Sequence, residues 1–201
     1  MLVAAMKARH TGFTLIELMV TIVLVAILLS VGVPSFRGFL QNSRMASLAN
    51  QLLADVNLAR SEAVKRRVPV TLCKSPDGAG CDDDADAPFG GWLVYVDDAD
   101  PLVEAATDGN GEVDAGEEVL ASRSVPETVD GAATGLGIVF LLSGFPDPGF
   151  ADTIDRVVLC DERGNLDQEL GSPARLLTVS ATGRAAVTRS YDEIDAAGGC
   201  E

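Results

Sequence analysis

The chain has 201 residues, 47% of them hydrophobic and only 5% aromatic, and carries 15 basic against 30 acidic side chains, a net charge of −15. Such a balance opposes a phosphate backbone, whose binding depends on several cations displacing counterions. The one histidine, His10, lies in a short basic start with Lys7 and Arg9, which leaves little for histidine-based catalysis or metal ligation.

After that start, Phe13 to Val33 is an apolar run of 21 residues, long enough to cross a membrane as a helix. A secretory signal peptide has a core of roughly 7–15 residues followed by a small-residue exit, and neither holds here. A plain single-pass anchor fits the length but does not account for Glu17, which lies inside the run. A carboxylate there costs about 3 kcal/mol on insertion scales, so it needs a partner or a function. The stretch Gly12-Phe13-Thr14-Leu15-Ile16-Glu17-Leu18, preceded by the basic leader, resembles the cleavage and methylation signal of type IV prepilins. The resemblance implies that a prepilin peptidase on the cytoplasmic side cuts after Gly12 and methylates the new N-terminus, Phe13. Glu17 is then the fifth mature residue, and Pro34, the twenty-second, is expected to end or kink the first half of the helix. Losing the leader changes the balance from 15 against 30 to 13 against 30, a net of −17. The positive-inside rule keeps the leader cytoplasmic and puts everything after Ser35 outside, in the periplasm of a Gram-negative cell. The expected divisions are a leader over 1–12, an inner-membrane or filament-core helix over 13–35, its outer half over 36–66, and a periplasmic β-rich domain over 67–201.

About 165 residues follow the span, enough for one domain but hardly two. From Phe36 to Lys65 the helix continues: Met45, Leu48, Ala49, Leu52, Val56, Ala59 and Ala63 recur at spacings of three and four, one apolar stripe. Asp55, Asn57, Arg60, Ser61 and Glu62 fall mostly off it, and Pro69 marks where the helix has stopped. One helix of roughly 50 residues is expected, its outer half packed on a sheet by that stripe.

Short β-rich runs separated by Gly, Asp and Pro come next: Val68–Cys73, Trp92–Asp97, Val119–Ser124, Gly137–Leu142, Arg156–Cys160, Leu176–Ala181 and Arg184–Arg189. Ala181-Thr182-Gly183 reads as a tight turn joining the last two. The four cysteines all fall in the exported part, where thiols are normally oxidised, and allow three pairings. Cys73 and Cys81 are eight apart across a glycine-rich loop, an easy local bridge, and Cys160 would then pin Cys200 and the tail. The rival, a zinc site, lacks a Cys-x2-Cys pair and any histidine in the mature chain.

Gly90-Gly91-Trp92-Leu93-Val94-Tyr95-Val96-Asp97, then Asp108-Gly109-Asn110-Gly111, Gly116-Glu117-Glu118-Val119-Leu120, Val157-Val158-Leu159-Cys160-Asp161-Glu162-Arg163-Gly164 and Val179-Ser180-Ala181-Thr182-Gly183-Arg184 resemble, in that order, the FimT/GspH class. That class comprises minor pilins of type IV pili and minor pseudopilins of type II secretion, and the likeness spans nearly the whole chain. It implies an α+β, pilin-like fold with a long N-terminal helix on two antiparallel sheets. It also implies a subunit of the tip or initiation complex of a type IV pilus, or the equivalent pseudopilin. Other pilins or pseudopilins, prepilin peptidase and an inner-membrane assembly platform are the implied partners, and no cofactor is. Subunits of this kind stack head-to-tail with their apolar helices as the filament core, and such non-closing contacts make fibres. Glu17 is expected to pair with the methylated amine of Phe13 on a neighbouring subunit.

Three other chemistries have weaker signals. An enzyme lacks a histidine base once His10 leaves with the leader, and no GxxxxGK phosphate loop is present. Asp108, Asn110, Glu112 and Asp114 resemble the start of an EF-hand calcium loop, but Val113 and Val119 occupy its glycine and glutamate positions. Some FimT-like pilins bind DNA through a Gly-Arg-x-Arg motif; here Gly183-Arg184-Ala185 is followed by Ala186, and Arg189 is out of register. From Asp77 to Glu118 there are 14 acidic residues and no basic one, whereas Arg156 to Tyr191 holds five arginines against four acids. Arg184 and Arg189 are therefore the candidate DNA contacts, and the acidic run is a solvated face.

Overall fold

A computed structural model describes residues 12–97, 113 and 116–200, with nothing stated of the Ser35 side chain. The chain divides into two compact units, Met1–Gln41 and Asn42–Glu201, and each is taken by itself.

Helix α1, Leu15–Arg66, runs for 52 residues through both. In the first unit its apolar residues are exposed, and an 18-residue window reaches a mean hydropathy of 2.7 with none of it buried. The hydroxyls in this stretch are satisfied locally: Thr21 donates to the Leu18 carbonyl at 2.8 Å and Ser30 to that of Ile27 at 2.7 Å. That is the arrangement a hydrocarbon environment demands, since no water is there to bond them. Pro34 lies inside the helix, which does not end there. The missing N–H costs one intrahelical bond, and the helix is long enough on both sides to carry the defect. The last turn carries Lys65 and Arg66, which suit the negative end of the helix dipole. Arg67 then turns left-handed (φ 62°), its N–H still bonding the Ala63 carbonyl at 2.9 Å, and Pro69 prevents any further turn.

The described residues of the second unit form two four-stranded antiparallel sheets and a short helix. The strands are β1 (Val70–Lys74), β2 (Gly91–Val96), β3 (Val119–Ser124), β4 (Val129–Ala133), β5 (Gly137–Phe140), β6 (Arg156–Asp161), β7 (Arg175–Val179) and β8 (Ala185–Thr188), followed by α2 (Tyr191–Ala196). One sheet is ordered β3-β2-β1-β5, the other β4-β6-β7-β8. The predicted stripe of α1 is the spine of the core: Met45, Ala49, Leu52, Val56, Ala59 and Ala63 are each at most 1% exposed and Leu48 is 7% exposed. They cluster with Val70, Leu72, Trp92, Val94, Ile138 and Phe140 of the first sheet and Val157, Leu159, Leu177 and Val179 of the second.

Both sheets are also covered behind. Cys73, Leu93 and Tyr95 pack with Cys81 and Val113 on the far face of the first, while Val158, Cys160 and Leu176 pack with Ile194 of α2 on the far face of the second. Hence β2 is buried on both sides and reads as a continuous run rather than an alternation. Seven of the eight strands coincide with sequence-predicted runs, differing by a few residues at the ends. The eighth, β4, and helix α2 were not expected. The turn between β7 and β8 has Gly183 at φ +73°, where a Cβ would lie 2.8 Å from the Gly144 carbonyl oxygen, so no other residue fits without movement.

Candidate functional site

The N-terminal signal is built as a helix cap. Thr14 precedes the first helical residue, and Glu17 is the third residue of the helix. Glu17 Oε2 accepts the Thr14 N–H and the Thr14 hydroxyl, both at 2.9 Å, and the Glu17 N–H bonds back to Thr14 Oγ1 at 3.3 Å. This is the reciprocal capping box of a Thr-x-x-Glu start, with the carboxylate also at the positive end of the helix dipole. The second carboxylate oxygen, Oε1, makes no hydrogen bond among the described residues. Ahead of the cap, Phe13 is 89% exposed and Gly12 has no atom within 4 Å of where a Cβ would sit. The peptide between them is open to a peptidase. Lys7, Arg9 and His10 lie outside the described residues.

In the second unit the sulfurs pair as Cys73–Cys81 and Cys160–Cys200, and no cysteine is free. Zinc ligation through them is thereby removed. Among the described residues no group of His, Cys, Asp and Glu could hold a metal, but Asp108, Asn110, Glu112 and Asp114 lie outside those residues.

The two arginines proposed for DNA are not brought together. Arg184 follows Gly183 at the start of β8 and Arg189 follows its end, so the strand spaces them by about 16 Å at roughly 3.3 Å per residue. Arg189 donates to the Gly171 carbonyl at 3.2 Å, while the exposed Arg184 guanidinium forms no ion pair among the described residues.

Sequence reasoning missed a set of buried charges. Asp55, placed mostly off the stripe, is only 6% exposed; it accepts Trp92 Nε1 at 2.9 Å and Arg123 Nε at 3.3 Å, tying α1 to β2 and β3. The signal available was the lone tryptophan, whose N–H usually takes an acceptor when buried. Lys74 is 1% exposed, and its ammonium donates to three backbone carbonyls, those of Asp84 (2.8 Å), Ala85 (3.2 Å) and Ala87 (2.7 Å). The acidic run around Asp82–Asp86 is thus not merely solvated but folded round a cation.

Arg175, 6% exposed, likewise donates to the carbonyls of Ser172, Pro173 and Ala174 at 2.8–2.9 Å. Burial, then the Arg189 and Arg163 cations, lower its pKa. Asp161 is pinned by Arg163, whose other arm reaches Asn42 Oδ1 at 2.9 Å. Burial raises the Asp161 pKa, but the hydrogen bonds and charge of Arg163 outweigh it and hold the carboxyl below its ordinary value. These groups are all engaged in holding the fold. A cavity of about 320 Å³ beside the second disulfide, lined by Ala132, Val158 and Gly198 among others, has Asp130 as its sole titratable lining side chain.

No curated protein matches the chain. Among solved structures, two crystal forms of the type IV minor pilin FimU of Pseudomonas aeruginosa are similar at 19% identity. The P65 form has a TM-score of 0.43 over 71% of this chain and 91% of that one, and the P21 form 0.45 over 75% and 92%. Residues 7–33 match the prokaryotic N-terminal methylation motif. Residues 48–183, more than half the chain, match the family model of type II transport protein GspH, and the chain therefore belongs to the GspH family of minor pilins and pseudopilins.

Proposed function

We propose that the chain is a minor pilin-like subunit, cut after Gly12, that enters the tip or initiation complex of a type IV pilus, with its second unit on the periplasmic side. The observation that carries this reading is Glu17. Its cap with Thr14 uses one carboxylate oxygen and leaves the other for a cation, in a segment apolar enough to lie in lipid or in a filament core. An uncompensated carboxylate there is costly, so the methylated amine of Phe13 on a neighbouring subunit is its natural counter-charge. Prepilin peptidase and the assembly platform act before that pairing. A second reading, a minor pseudopilin of a type II secretion system, is favoured by the description of the matched family.

The test is Glu17→Val in the full-length chain. Membrane insertion and processing should persist, because Val preserves the apolar run. Incorporation into sheared filaments should fall at least about tenfold, the equivalent of one lost charge pair of about 1.4 kcal/mol. Normal incorporation would dismiss the role of Glu17. Whether wild-type protein co-fractionates with pilus or with secretion pseudopilins decides between the two machines.

A further inference from the structure

The end of α1, the turn after β5 and the turn between β7 and β8 meet in one place. Gly144, buried with φ +76°, seats the first turn on the helix: a Cβ there would lie 2.8 Å from Val64 Cγ2 and 3.5 Å from Arg60 Nε. That turn is closed by Leu141 N–H to the Phe145 carbonyl (2.9 Å) and Gly144 N–H to the Leu141 carbonyl (2.8 Å). Arg60 Nη1 reaches the Gly183 carbonyl at 3.4 Å, joining the other turn. Three large apolar side chains are left half-exposed on this seat: Val64 at 50%, Leu142 at 52% and Phe145 at 47%.

Cations border them. Arg60, Arg67 (three residues beyond Val64) and Arg184 (next to Gly183) form no ion pair among the described residues, as is also true of the exposed Arg37, Arg44 and Arg189. In a chain with 30 acidic residues, three such arginines fall close to one apolar centre.

We propose that this face docks an acidic surface with an apolar centre on a neighbouring filament subunit, an inference that rests on the filament function above. An apolar middle within a charged rim is protein-interface anatomy, and arginine is among the residues that concentrate binding energy there. A nucleic-acid backbone has no use for the apolar centre and is opposed by the net charge of −15. Nor is the face self-complementary: a two-fold pairing would set guanidinium against guanidinium. The contact is therefore heterologous, as stacking in a filament requires.

The experiment places a photo-crosslinking amino acid at Leu142 in the full-length chain in its own membrane, and in a parallel strain at Leu24 of α1. The Leu142 probe should yield a conjugate with a subunit bearing its own N-terminal methylation motif, attached within a segment that contains Asp or Glu. Arg60→Glu with Arg184→Glu should cut the yield about tenfold, and reversing the partner's carboxylates to Lys should restore it. The exposed Arg184→Glu alone serves if the double variant fails to form both disulfides. A Leu142 probe that is silent or captures nucleic acid, while the Leu24 probe still captures a pilin-like subunit, overturns the docking face and leaves the filament function standing. Silence at both positions removes the filament function, and the docking face with it.

Discussion

Replacing Asp55 with leucine tests whether α1 is locked to the first sheet by polar chemistry as well as by packing. Asp55 is 6% exposed and Trp92 is fully buried, with Nε1 and the carboxylate 2.9 Å apart. Leucine copies the branching of aspartate with methyls in place of oxygens, so it fills the site with some added bulk while the indole N–H loses its acceptor, at about 1–3 kcal/mol. The second contact, with Arg123, adds under about 1 kcal/mol because that side chain is 48% exposed and screened. The sum is about 1–4 kcal/mol, a fall in melting temperature of roughly 2–16 °C for a chain this size. Asp55→Asn retains an acceptor and should cost less than about 1 kcal/mol. The assay is thermal unfolding of the full-length chain in detergent, followed by near-ultraviolet circular dichroism of the sole tryptophan. A double-mutant cycle with Trp92→Phe should return a coupling of about 1–2 kcal/mol, since phenylalanine has no donor to orphan. Wild-type melting of Asp55→Leu, or zero coupling, would refute the reasoning.

Lys74→Met should leave the carbonyls of Asp84, Ala85 and Ala87 unpartnered, and amide exchange over residues 82–87 should quicken at least about tenfold while β1 stays protected. Removing Cys160–Cys200, whose partners are 40 residues apart, should destabilise by up to about 4 kcal/mol on loop entropy, against about 2.5 kcal/mol for the eight-residue Cys73–Cys81 loop. Paired Cys→Ser variants compared by melting temperature check the order. The Asp161 carboxyl has a folded pKa below its ordinary 3.8, so its stabilisation is complete above that value and lost as pH falls through the lower, folded one. Melting temperatures taken from pH 5 down to 2 should therefore fall more steeply for wild type than for Arg163→Met, and parallel curves would exclude the pair as a source of acid sensitivity.

How much of this was legible in the sequence depended on whether a residue's partner was local. The stripe from Met45 to Ala63 was readable because seven apolar residues at helical spacing have only one way to be buried together. The strands rich in Val, Leu and Ile were readable as short apolar runs bounded by Gly, Asp and Pro, buried on both faces rather than alternating. The strand β4, Val-Asp-Gly-Ala-Ala, has almost no intrinsic strand preference. It exists because β6 pairs with it from Val129↔Asp161 to Ala133↔Val157, and its Gly131 is needed where the Phe89 carbonyl oxygen would stand 2.5 Å from a Cβ. Helix α2 is six residues long, too short for a periodic signal, and holds one buried residue, Ile194, beside the Cys160–Cys200 bridge.

The polar sites divide along the same line. Thr14 and Glu17 are three residues apart, so their capping box was written in the sequence as Thr-x-x-Glu; it went unnoticed because the distance of Glu17 from Gly12 already accounted for the glutamate. Asp55 and Trp92 are 37 residues apart, and Lys74 bonds only to backbone carbonyls, which have no sequence signature at all. A charge read as exposed and found buried is therefore a statement about tertiary partners. Asp55, Lys74 and Arg175 are among the buried charges of the second unit, and each is neutralised or solvated by protein groups fixed in place. Glu17 differs from all three. Its local partner satisfies one oxygen, while the apolar run around it offers no cation, so its remaining valence points beyond this chain. Under the proposed filament function, that unfinished charge balance would drive association, with Glu17 completed by a second N-terminus beside it.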